Sequence, residues 1–132
     1  MKPSAVVIAA SLLIAGVIHL LPVTGALGAG SLASLYGLDF SEPNLAILMR
    51  HRAVLFGLLG VFLVVAAFRP AIQLAALLAG LASVISFLLI AWSTGDYNPA
   101  ISRIVAADLL ALAALGMGLV AWFHRRQGQT PP

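Results

Sequence analysis

The chain contains no cysteine and very few charged residues. Of its 132 residues, 8% are Asp, Glu, Lys or Arg, whereas 62% are hydrophobic. The absence of cysteine excludes disulfides, cysteine nucleophiles and thiolate metal sites within these residues. Soluble proteins carry about 25% charged residues. With a mean hydropathy of +1.10, this composition therefore excludes an ordinary soluble domain and indicates a membrane protein.

The sequence also lacks the short motifs of common soluble enzymes. It contains no Gly-x-Ser-x-Gly, no Gly-x-Gly-x-x-Gly, no Walker sequence and no His-Glu-x-x-His. The net charge is +3, but the basic residues lie at the ends of apolar stretches rather than in one stripe, which argues against nucleic acid as a partner. A non-catalytic role is favoured over an enzymatic one.

Four long apolar stretches occupy most of the chain. They cover residues 4–22, 45–68, 71–92 and 100–123, each close to the ~20 residues that a helix needs to cross a hydrocarbon layer about 30 Å thick. They predict an all-α fold, an integral membrane four-helix transmembrane bundle in up-down-up-down order. We expect residues 1–132 to form a single domain, with a disordered tail over 127–132.

The first apolar stretch has an alternative interpretation as a cleaved secretory signal. Lys2, the apolar run after it and the small-residue segment Ala26-Leu27-Gly28 fit the general pattern of such signals. The run over residues 5–21 is longer than the usual core of about 7 to 15 residues, however. A retained first helix is therefore the favoured interpretation.

The connections between the stretches differ in length. The first, residues 23–44, is too long for a simple turn, and Ser31 is a candidate N-cap for a short surface helix that runs through Tyr36 and stops at Gly37. The second consists of Arg69 and Pro70 alone, so the second and third long helices should form an antiparallel hairpin.

The distribution of Lys and Arg predicts the orientation. The side that holds both termini carries four of these residues and the opposite side carries three: Lys2, Arg69, Arg125 and Arg126 against Arg50, Arg52 and Arg103. By the positive-inside tendency, the chain should be a multi-pass membrane protein with both termini in the cytoplasm. The expected partners are membrane lipids, with a homo-oligomer or a larger membrane complex as further candidates.

Asp108 is the most informative single residue. It lies about 12 Å into the fourth helix, where an ionised aspartate requires a partner. On a helical projection Arg50 lies within about 60° of Ala53 and Gly57, on the small-residue face expected to pack inward. Arg52 lies opposite, and we expect its side chain to extend to the surface. These positions predict a pair between Asp108 and Arg50.

The predicted polar cluster lies at the extracytoplasmic end of the bundle. Its members are His19, Arg50, His51 and Asp108, with Arg52 and Arg103 at its mouth. The cluster either organises the bundle or receives an anionic or quinone-like head group. Two alternatives remain open: a haem or metal site ligated by His19 and His51, and an oligomeric proton-coupled transporter that uses Asp108. No resident cofactor is expected.

Several segments carry a resemblance to a known family. They are Met49-Arg50-His51-Arg52-Ala53-Val54-Leu55-Phe56-Gly57-Leu58-Leu59-Gly60, Leu20-Leu21-Pro22, Leu35-Tyr36-Gly37, Glu42-Pro43-Asn44 and Asp108. The chain resembles small bacterial four-helix membrane proteins of the DoxX-like type. Some similar chains are labelled phosphopantetheine adenylyltransferase, but the His-x-Gly-His nucleotide motif is missing here. The association of DoxX-type relatives with quinol-linked respiratory complexes implies an accessory role in membrane redox systems.

Overall fold

The computed structural model describes residues 2–128, and all regular structure within that part of the chain is helical. Five α-helices follow one another: α1 (Pro3–Leu20), α2 (Ala29–Tyr36), α3 (Pro43–Ala67), α4 (Gln73–Thr94) and α5 (Pro99–Gln127). Short 3-10 segments follow α1 (Leu21–Leu27) and precede α4 (Pro70–Ile72). Among the described residues, four helical segments are long and apolar enough to cross a membrane. The all-helical prediction is confirmed.

Prolines and polar caps determine where the long helices begin. Proline occupies one of the first two positions of α1, α3, α5 and the 3-10 segment before α4, where a missing N–H leaves no bond unmade. The carboxylate of Glu42 caps α3 by accepting the backbone N–H groups of Asn44 and Leu45 at 3.0 and 2.7 Å. These local signals explain why the predicted bounds lie within a few residues of those observed.

The short helix of the first connection is present, but it begins earlier than predicted. It starts at Ala29, after Gly28 with a φ of 149°, rather than at a cap on Ser31. It ends at Gly37, as predicted, where a φ of 64° favours glycine. At the other end of the chain, Gln127 is the last residue of α5 rather than part of a tail. Residues 129–132 of the predicted tail lie outside the described residues.

Small residues allow the long helices to approach closely. A Cβ atom placed on Gly16 of α1 would lie 3.1 Å from the carbonyl oxygen of Gly60 in α3, and one on Gly80 of α4 would lie 2.9 Å from Leu115 of α5. Gly16 lies against Val64 and Gly60 lies against Leu20, so α1 and α3 run in opposite directions. Close backbone approach of this kind is typical of helix packing in lipid.

The 3-10 segment after α1 continues along α3 and leads into α2. A Cβ atom on Gly57 would lie 2.8 Å from the side chain of Val23, and one on Gly25 would lie 3.4 Å from Ala53. The side-chain amide of Asn98, before α5, donates to the carbonyl oxygen of Tyr36 at 2.8 Å. α2 is thereby attached to the end of the molecule where α1 finishes and α5 begins.

Candidate functional site

A cavity of about 310 Å³ lies beneath α2, bordered by α1, α3, α4 and α5. Its volume is at the lower end of the range of about 300–1,000 Å³ found for small-molecule sites. Most of its wall is apolar or aromatic. The polar and charged side chains that line it are Ser34 and five others: His19, Tyr36, Arg52, Arg103 and Asp108.

Asp108 lies on the cavity wall in the third turn of α5 and is 7% exposed. Among the described residues, none donates a hydrogen bond to its carboxylate. The positive charge that acts on it is the guanidinium of Arg52. No side-chain oxygen or nitrogen in the described part of the chain is both fully buried and without a partner, so the unbonded oxygens of Asp108 have some surface open to the cavity and can accept a hydrogen bond from a molecule in it.

Arg52 is held against two aromatic rings. Its Nη1 donates a hydrogen bond of 2.9 Å to the hydroxyl of Tyr36. Its guanidinium carbon lies 4.6 Å from the centroid of the Phe56 ring and 5.6 Å from that of Tyr36, within the range of cation–π attraction. The side chain is therefore folded inward, and the expectation that it extends to the surface is wrong.

His19 is fully engaged by the protein. Its Nδ1–H donates to the carbonyl oxygen of Ala15 at 2.8 Å, which leaves Nε2, 3.2 Å from Ser83 Oγ, as the acceptor of the serine proton. The ring stacks on Phe56 with centroids 5.5 Å apart. His19 thus joins α1, α4 and α3, as expected of polar side chains between helices in lipid.

Arg103 lines the cavity five residues before Asp108, nearer the start of α5. It is exposed, and within residues 2–128 its guanidinium has no hydrogen-bond acceptor. It therefore has free donors at the point where a head group would enter.

Arg50 and His51 lie outside the cavity. The Nε of Arg50 donates to the carbonyl oxygen of Ala26 at 2.9 Å, and both residues border a separate shallow depression. The predicted pair between Arg50 and Asp108 is therefore wrong. The face that carries Ala53 and Gly57 is occupied by the segment after α1, so a residue on that face meets backbone rather than a cavity.

The arrangement does not suit a metal or haem held by the two histidines. His19 uses both ring nitrogens, and His51 is exposed beside Arg50. Within the described part of the chain, no group of three or more His, Asp or Glu side chains is placed to hold a metal ion. Of the predicted cluster, the structure brings together His19, Arg52, Arg103 and Asp108.

Several residues of the cavity carried no clear signal in the sequence. Tyr36 stood out only as the last residue before a helix-ending glycine, and Phe56, Phe87 and Ala107 are ordinary members of apolar helices. The offset of four residues between Arg52 and Phe56 places them on one face of α3, and this spacing was the one available hint.

Comparison of the chain with family models, with curated proteins and with solved structures finds no match. The likeness to DoxX-type proteins therefore stays a prediction.

Proposed function

We propose that this chain is a non-catalytic integral membrane protein that binds a small amphipathic molecule in the cavity beneath α2. One observation carries the proposal: Asp108, whose carboxylate receives no hydrogen bond from the described residues and is open to the cavity, shares that mostly apolar cavity with Arg103, whose donors have no acceptor among the described residues. Pockets that combine apolar walls with a few converging polar groups are the usual form of small-molecule sites.

In this proposal the four long helices form a transmembrane bundle in up-down-up-down order in a bacterial inner membrane. Large apolar side chains on their outer faces, such as Leu58 and Leu110, are well exposed, which suits contact with lipid. Arg126 lies 5.1 Å from the ring centroid of Trp122, an aromatic and cationic pair typical of a membrane interface. With both termini in the cytoplasm, the cavity opens toward the extracytoplasmic side.

Binding is favoured over acid–base catalysis by the state of the polar groups. A general base needs a free lone pair within reach of a substrate proton. Asp108 has one, but the other acid–base group of the cavity wall that would work with it, His19, already accepts from Ser83 through Nε2. Arg52 is likewise committed to Tyr36. The groups that remain free are suited to recognising a head group.

Binding is also favoured over transport through a single chain. Between the cavity and the end that carries the termini, the centre of the molecule is filled by leucines with no exposed surface: Leu12, Leu63, Leu77 and Leu115. A path for an ion or proton requires a chain of polar groups or water. The buried polar side chains on this side of the cavity are Ser11, beside Leu77, and Gln73, whose amide is bonded to Ala67 and Arg125, and within the described residues no hydrogen bond joins either of them to Asp108.

Substitution of the cavity wall tests the proposal. Ala107 lines the cavity, whereas its neighbour Ala106 is exposed and does not. We expect native mass spectrometry of the protein extracted in its own lipids to reveal a small molecule retained by the wild type and by Ala106→Phe, and lost from Ala107→Phe. Equal retention by both variants would show that the bound molecule lies elsewhere, and a bare wild-type protein would refute the proposal.

A further inference from the structure

A second cavity, of about 440 Å³, adjoins the first. The two share three wall residues, Tyr36, Arg52 and Phe87. The hydrogen bond between Tyr36 and Arg52 therefore stands at the boundary between the two spaces, and Phe87 contributes to the wall of both.

Both cavities have mostly apolar walls, but they differ in the polar groups that are free to bind a ligand. The first contains the free acceptor of Asp108 and the free donors of Arg103. The second is lined mainly by apolar side chains: Leu38, Phe40, Leu45, Met49 and Ile101. Its one acidic residue, Asp39, is already satisfied by Ser41, whose backbone N–H and hydroxyl donate to it at 2.9 and 2.8 Å. The first cavity thus suits a polar head and the second an apolar tail.

We propose that both cavities hold a single ligand, a single-chain amphiphile with an uncharged head that carries a hydroxyl and a carbonyl group, as in a monoacylglycerol. This inference rests on the function proposed above. The hydroxyl of the head donates to Asp108, and its carbonyl accepts from Arg103. The acyl chain passes Phe87 and the pair of Tyr36 and Arg52 and ends in the second cavity beside Met49.

The charges of the first cavity favour an uncharged head. A carboxylate head could pair with Arg103, but it would leave Asp108 without a donor and place a second negative charge beside it. An ammonium head could pair with Asp108, but it would lie beside the positive charges of Arg52 and Arg103. A head with one donor and one acceptor satisfies both free groups without adding a charge. Such a site binds weakly any ligand that would leave one of these polar atoms buried without a hydrogen-bond partner.

Photolabelling locates the two ends of the ligand. Full-length protein in lipid nanodiscs is exposed to two monoacylglycerols, one with a diazirine beside the head and one with a diazirine at the chain end, and the labelled residues are mapped by peptide mass spectrometry. We expect the first probe to label Ala107 and Ile104, and the second to label Met49 and Leu45. Excess unlabelled monoacylglycerol should remove both labels, whereas the fatty acid and the alkylammonium of equal length should compete more weakly.

Two substitutions separate the cavities. Met49 lines the second cavity alone, and Met49→Trp should remove the chain-end label while the head label stays. Leu48→Trp is the matched control, because Leu48 is 68% exposed and lines neither cavity; it should change neither label. Ala107→Phe should remove both.

The outcomes distinguish the inference from the function on which it rests. If the head probe labels Ala107 but the chain-end probe labels lipid-facing residues such as Leu110, the second cavity is not a tail site and the inference fails while the proposed function stands. If neither probe labels a cavity residue, or if the fatty acid competes best, the monoacylglycerol assignment is wrong. If in addition the extracted protein retains no molecule, the proposed function fails as well. The labelling pattern of the wild-type protein tests the inference even if a variant does not fold.

Discussion

Arg52 of α3 donates a hydrogen bond of 2.9 Å to the hydroxyl of Tyr36, the last residue of α2. The bond connects α2, whose residues Leu32 and Tyr36 form a small buried cluster with Phe40, to one of the long helices. It also directs the guanidinium into the site, where its charge acts on Asp108. One contact thus helps to hold α2 and brings a positive charge to the cavity.

Removal of the Tyr36 hydroxyl should loosen this attachment. We expect Tyr36→Phe to lower the free energy of unfolding by about 1 kcal/mol, because a hydrogen bond to a charged group is lost while the ring remains. Unfolding by SDS in mixed micelles measures the change. Tyr97→Phe is the control, since Tyr97 is exposed and its hydroxyl has no partner among the described residues. An equal loss in both variants would contradict the role of the bond.

A double-mutant cycle identifies the partner of Asp108. We expect the effects of Arg52→Gln and Asp108→Asn on the free energy of unfolding to be non-additive, with a coupling of about 0.5–3 kcal/mol, because the charge of Arg52 acts on Asp108. Arg50→Gln combined with Asp108→Asn should be additive within about 0.5 kcal/mol, because Arg50 is bonded to Ala26 instead. Coupling to Arg50 rather than to Arg52 would reverse the assignment.

The close approach of α1 and α3 predicts a strong contrast between two glycines. A Cβ on Gly60 would lie 3.0 Å from the carbonyl oxygen of Gly16, whereas one on Gly116 meets nothing within 4 Å. Gly60→Ala should therefore destabilise the protein by about 1–3 kcal/mol through overpacking. Gly116→Ala should be neutral, or stabilising by up to about 1 kcal/mol through helix propensity. Thermal unfolding in one detergent compares them directly.

Asn98 has two roles that can be separated. Its side-chain oxygen accepts the N–H of Ile101 at 2.9 Å to cap α5, and its amide donates to the carbonyl of Tyr36. Asn98→Ala should lower the free energy of unfolding by about 0.5–2 kcal/mol through the lost cap alone, and more with the lost attachment of α2. Asn98→Asp keeps the cap and loses the amide donor, so hydrogen exchange of α2 should increase while α5 stays protected. Unchanged exchange in α2 would argue against the attachment.

Glu42 predicts a pH dependence at the start of α3. The backbone N–H groups of Asn44 and then Leu45 hold the pKa of its carboxyl below the usual value of 4.5. Because the pKa in the folded state is the lower one, the stabilisation is present above pH 4.5 and is lost as the pH falls through the folded pKa. Wild type should therefore lose more stability on acidification than Glu42→Gln. If the stability of the two proteins depended on pH in the same way, the proposed contribution of the Glu42 cap would be wrong.

From the sequence, the positions of the helices and the distance of each residue from a helix end were predicted better than which face of each helix points inward. Length and hydropathy identified the long helices, and proline with Gly37 marked their ends, because these signals act locally. Counting residues inward from the helix ends placed His19, Arg103 and Asp108 toward the same end of the bundle, since the rise per residue is constant. These features need no knowledge of neighbouring helices.

To decide which of Arg50 and Arg52 faces the cavity, the positions of the neighbouring segments must be known. The two lie roughly 200° apart around α3, so only one could face the cavity. The small-residue face marked close packing correctly, but tight packing leaves no room for a cavity. The continuation of the chain after α1 along that face, which provides the carbonyl of Ala26, has no signal in composition or periodicity.

The attachment of α2 at two points has a consequence for how a ligand is exchanged. Arg52 holds the end of α2 from α3, and Asn98 holds it from the start of α5, so α2 cannot move away from the cavity until both hydrogen bonds open. The exposed residues of the cavity wall are Leu21, Ser34 and Arg103. While α2 stays attached, a ligand exchanges past these three residues, and its rate of exchange then depends on the surroundings of that part of the surface rather than on the opening of α2.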